Sequence, residues 1–119
     1  MSNISTIDMV EKSVGLKGKA VMLRELVEYQ KGSVVSRTVI DKSTGTVTLF
    51  AFDKGECLSE HAAPFDAMVV DIEGEVEVKI AGEGNHLKEG DMIIMPANKT
   101  HSLKALTQFK MMLIMIKAT

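Results

Sequence analysis

From Val34 onward the apolar positions fall in short runs, four to nine residues long, separated by turn residues. Val34 to Ile40 is rich in β-branched residues, and the turn-forming stretch Asp41 to Gly45 leads into Thr46 to Phe52, so the two runs predict a hairpin. Glu75 to Ile80 alternates, with Val76, Val78 and Ile80 on one side and Glu75, Glu77 and Lys79 on the other, as a half-buried strand requires. Ala67 to Ile72, His86 to Leu87, Met92 to Met95 and Thr100 to Leu106 read as further strands, with Ala81 to Asn85 as a loop and Pro96 to Lys99 as a turn. The last run, Phe109 to Ile116, is apolar on both faces. That is more than one small sandwich buries easily, and it points to a second copy of the chain, a homodimer.

The N-terminal third has a different texture. Ile7, Val10 and Val14 recur at spacings of three and four, Ser5 or Thr6 can cap, and Gly15 can terminate, so residues 3 to 16 predict a helix. Val21 to Tyr29 predicts a further turn or two of helix. The division is then a helical arm over residues 1–33, packed on a β domain over residues 34–117. Many short strands at this spacing place the chain in the all-β class, as a sandwich or barrel.

Composition narrows the function classes. A chain of 119 residues makes one domain. A net charge of −2 announces no basic face, which argues against a nucleic-acid partner. The longest apolar run, Met111 to Ile116, is too short to span a bilayer, so no membrane partner is expected. The single cysteine, Cys57, excludes an intrachain disulfide, and a cytoplasmic protein is the simplest expectation. With nine Met against four Phe, one Tyr and no Trp, methionine must fill much of the core volume.

Two stretches carry the candidate chemistry. In Gly55 to Gly74, Gly55, His61 and Gly74 keep the spacing of the first signature of the cupin superfamily, Gly-x5-His-x-His-x3–4-Glu-x6-Gly. Ala63 stands at the second His position and Ala67 at the Glu position. In Gly90 to Ala105, Gly90, Pro96 and His101 match the second signature, while Asn98 replaces a Gly and Ala105 an Asn. The chain thus resembles the cupins over roughly Val34 to Lys117. The resemblance implies a double-stranded β-helix, or jelly-roll barrel, that commonly dimerises. It also implies a divalent metal such as iron, manganese, nickel or zinc, held by three His and one Glu. Of those ligands only His61 and His101 remain here.

Two neutral imidazoles make a weak metal site, since structural and catalytic ions usually take at least three protein ligands. Asp66, beside the vacant Glu position, would complete a two-His, one-carboxylate triad, although strand alternation points it away from Ala67 unless a bulge follows Pro64. Asp71 has the right parity but lies four residues on, about 13 Å along a strand. Ala63, Ala67 and Met95 are expected to line a pocket beside the two histidines. Three functions stay open. The leading one is a small organic ligand held in the barrel with a degenerate metal site. The others are a metal-dependent enzyme of dioxygenase or isomerase type, and a non-catalytic dimeric module.

Overall fold

The β-branched and apolar residues of Val34–Lys42 and Gly45–Phe52 form the hairpin that the pattern predicts, and strands continue towards the C-terminus. The computed structural model describes residues 7–12 and 15–117. In chain order its strands are β1 Ile7–Lys12, β2 Val34–Lys42, β3 Gly45–Phe52, β4 Cys57–His61, β5 Ala67–Glu73, β6 Val76–Ile80, β7 Glu83–Leu87, β8 Met92–Met95, β9 His101–Ala105 and β10 Phe109–Ile116. They build a six-stranded sheet in the order β1-β2-β3-β10-β5-β8, facing a four-stranded sheet in the order β4-β9-β6-β7. Every described pairing is antiparallel except β1 with β2. The fold is the all-β double-sheet jelly roll expected of the sequence.

The N-terminal helix is not what forms. Residues 7–12 are a strand, adding in parallel to β2 with Val10 opposite Ser36. The free edge of β2 offers unpaired backbone groups, and satisfying them outweighs a helical spacing of three apolar residues. Residues 3–6 and 13–14 of that expected helix lie outside the described residues. Where Val21 to Tyr29 predicted helix, a single 3-10 turn forms at Leu23–Glu25. The loop expected over Ala81 to Asn85 is also shorter, because Glu83, Gly84 and Asn85 join β7 against β6.

The core lies between the sheets. Phe50, Phe52 and Phe109 stack there, with ring centroids 6.1 and 5.4 Å apart along the series. A second apolar cluster lies on the outer face of the large sheet, where Val27 with Leu26 and Tyr29 covers Val35, Leu49 and Ala51. Polar contacts fix this covering segment. The Tyr29 hydroxyl donates to Glu73 Oε2 at 2.5 Å, Lys110 Nζ donates to the Arg24 carbonyl at 2.6 Å, and an Arg37 guanidinium N–H donates to the Leu26 carbonyl at 3.0 Å. Burial and the neighbouring Glu73 carboxylate push the Tyr29 hydroxyl well above its usual range.

Between β5 and β6 the chain passes from one sheet to the other through Gly74, at φ 84°. A Cβ there would lie 2.0 Å from the Gln108 carbonyl oxygen, so no side chain fits.

Candidate functional site

Strand alternation alone would set Leu58 and His61, three residues apart, on opposite faces of β4. A β-bulge prevents this. Leu58 is paired with Leu103 and His61 with His101, so three steps on β4 match two on β9. The extra residue brings both Leu58 and His61 to the inner face. His61 Nε2 then lies 3.1 Å from His101 Nε2, with the rings edge-on at 71°.

The two imidazoles have different surroundings. His61 stands at the exposed mouth, and its Nδ1 lies 2.8 Å from the Ser59 carbonyl oxygen, within the bulge. His101 is 5% exposed. Burial first, then the neighbouring His61, holds it below the usual imidazole range, and the Lys99 backbone opposes this. Its Nδ1 is buried without a hydrogen bond of good geometry. His101 is therefore the inner, buried member of the pair, where the uncharged ring is favoured.

Below them a cavity of about 130 Å³ opens between the sheets. Ala63 and Ala67 border it on one side and Met95 closes it from β8. Met111, Leu113 and Met115, alternate residues of β10, form the wall of the large sheet; Leu58 and Leu103 form that of the small one. Both alanines stand where bulkier donors would fill this space. The mouth is tied by the Asn98 N–H, which donates to the Ala63 carbonyl at 2.7 Å. Asn98 holds φ 66°, a left-handed conformation that Asn tolerates in place of Gly.

The structure brings together His61, His101, Ala63, Ala67 and Met95, and leaves Asp66 apart. Asp66 is exposed, and its Oδ1 accepts the Ala97 N–H at 2.8 Å, so its carboxylate serves the turn and is not among the groups lining the cavity. Among the described residues no three His, Cys, Asp or Glu side chains are grouped to hold a metal ion. The four-ligand metal centre implied by the sequence resemblance therefore does not fit: two donors converge and the other two positions are methyl groups. His86 lies outside the site, bonded to Glu75 at 2.7 Å, and Cys57 is exposed on β4.

Asp71 is the polar group that sequence reasoning weighed and set aside. It shares the inner face of β5 with Ala67 and Val69, is 1% exposed, and neither carboxylate oxygen has a hydrogen-bond partner. Burial first, then Asp91, Glu89, Glu75 and Glu73, push its pKa up to about 7. Its parity was legible in the sequence, but its isolation was not. The lining role of Met111 and Met115 was not singled out by the sequence, because β10 is apolar on both faces and no alternation marks its inner one.

Comparison with known proteins agrees with this fold. A family model described as a cupin domain matches residues 48–117. A conserved protein of unknown function from Streptococcus pyogenes is 33% identical, with a TM-score of 0.82 over 86% of this chain and 90% of its own. A cupin 2 conserved barrel domain protein from Leptotrichia buccalis is 40% identical, with a TM-score of 0.76 over 79% of this chain and 46% of its own. A cupin superfamily protein from Desulfitobacterium hafniense, at 24% identity and a TM-score of 0.81 over 86% of this chain and 94% of its own, shares the fold. No curated protein matches the chain. Among the described residues no helix is long and apolar enough to cross a membrane.

Proposed function

Because the chain belongs to the cupin domain family, we propose that it holds a small organic molecule inside its barrel, with His61 and His101 as polar anchors. The observation that carries this reading is the cavity itself. A nearly apolar space with a pair of convergent ring nitrogens at its mouth has the composition of a small-molecule site. A ligand bound there stabilises the native state by mass action and raises the melting temperature. A metabolite thermal-shift screen on the wild type and on Ala67→Phe tests the reading. A ligand whose shift disappears when Phe fills the cavity supports it; an unchanged shift places the ligand elsewhere.

We infer that the working unit is a cytoplasmic homodimer, in which the segment before Val34 is a covering arm of the barrel. The pairing registers support an interface on the outer face of the large sheet. Ile40, Val47, Ile114, Met68 and Ile94 stand directly opposite one another on β2, β3, β10, β5 and β8, in one apolar row across five strands. At about 4.8 Å per strand the row runs about 19 Å. Ile40 and Ile94 are 52% and 54% exposed, beside Met92 at 48% and Ile116 at 60%. A contiguous exposed patch of this kind is the usual mark of a partner surface.

A further inference from the structure

The cavity beneath His61 and His101 is lined by apolar side chains except at its mouth, where the chemistry is limited to two ring nitrogens. We propose that it is matched to an uncharged, compact apolar molecule of about six or seven non-hydrogen atoms bearing one hydroxyl group, an alcohol, phenol or enol. The hydroxyl sits between the two imidazoles and the apolar body lies against Met95, Met111 and Leu103. The inference rests on the ligand-holding reading above and names the chemical class of its ligand.

Size sets the first limit. The cavity is about 130 Å³, and an engineered apolar cavity of about 150 Å³ in another protein takes benzene. Charge sets the second. No Lys, Arg, Asp or Glu side chain lines the space. A carboxylate or ammonium group would lose its hydration and find no counter-charge.

The third limit is the pattern of donors and acceptors. The Ser59 carbonyl can only accept, so His61 Nδ1, 2.8 Å away, carries a proton, and in that tautomer Nε2 keeps its lone pair. His101 Nε2, facing it at 3.1 Å, then carries the proton they share. The mouth therefore presents one N–H and one lone pair side by side. A single hydroxyl answers both, its oxygen accepting from His101 and its hydrogen donating to His61. An ether or carbonyl supplies an acceptor alone and leaves the His61 nitrogen unpaired, which costs affinity. His61 is exposed, so its ring can turn to admit the oxygen.

Three probes of similar size separate these features: phenol, fluorobenzene and cyclobutanecarboxylate. Each is titrated into the full chain carrying 13C-labelled methionine methyl groups, read by NMR, with His61→Phe as the variant. The expected result is that phenol moves the Met95 and Met111 methyl resonances and binds at least tenfold tighter than either other probe. In His61→Phe, whose altered side chain lies at the exposed mouth, the phenol advantage over fluorobenzene should fall several-fold, leaving what the His101 N–H alone supplies. Equal binding of phenol and fluorobenzene, or a phenol advantage undiminished in His61→Phe, overturns recognition of the hydroxyl. Tightest binding by cyclobutanecarboxylate overturns the uncharged class and leaves a ligand-holding barrel. No movement of the cavity methyls with any probe overturns the ligand-holding reading as well.

Discussion

His61 and His101 are register partners on β4 and β9, and their Nε2 atoms meet at 3.1 Å because one extra residue in β4 turns His61 inward. His101 therefore feels the charge of His61. His61→Ala should raise the pKa of His101, by removing that neighbour and by opening its burial. An NMR titration of the His101 ring protons in wild type and variant checks it. A pKa that stays in place or falls would show that the two rings do not interact in solution.

Asp71 gives stability a pH dependence of defined sign. Its carboxyl is pushed up to about 7 in the fold, against an ordinary value of 3.8. The native state thus holds the proton more tightly than the unfolded chain. This group's contribution is fully present below about pH 4, is lost as pH rises towards 7, and is level above that. Asp71→Asn removes the titration. Relative to wild type, the variant should gain stability between pH 4 and pH 8, by at most about 4 kcal/mol at about 1.4 kcal/mol per pKa unit. Urea denaturation at the two pH values measures it, and parallel behaviour of the two proteins would refute the assignment.

The segment Leu26 to Tyr29 is held to the large sheet by the Tyr29 hydroxyl on Glu73 and by Lys110 on the Arg24 carbonyl. Tyr29→Phe keeps the ring, which Lys110 Nζ approaches at 4.9 Å, and removes the hydrogen bond to the carboxylate. A loss of about 1–2 kcal/mol is expected for a part-buried bond to a charged group, with faster tryptic cleavage at Arg24. Unchanged stability and cleavage would mean the segment is held by its apolar contacts alone.

These particulars divide what could be read in the sequence from what could not. The hairpin of β2 and β3, the alternation of β6 and the facing of His61 and His101 were legible, because each depends on local pattern or motif spacing. Strand β1 was not. Its apolar spacing suits a helix, and what decides its conformation is the open edge of β2, which lies more than twenty residues further on. The isolation of Asp71 and the contacts of Tyr29 and Lys110 were hidden for the same reason. They arise from residues 44 and 86 positions apart, which no window of sequence compares.

The apolar row on the outer face predicts the assembly state. Ile94→Lys places a charge at one end of that row, where Ile94 is 54% exposed and its replacement costs the monomer little. Wild type should run as a dimer in size-exclusion chromatography with light scattering, and the variant as a folded monomer. A wild-type monomer, or a variant that stays dimeric, would rule out this face as the interface.

The central claim is that Ala63 and Ala67 leave a dry apolar cavity under the two histidines, where four metal ligands would otherwise meet. A crystal structure of the wild-type protein under xenon pressure tests it most directly, since apolar cavities of this size bind xenon. The account predicts a xenon atom among Ala67, Met95 and Met111, absent in Ala67→Leu. Density for an ion bonded to both Nε2 atoms, or a cavity filled with ordered water and no xenon, would contradict it.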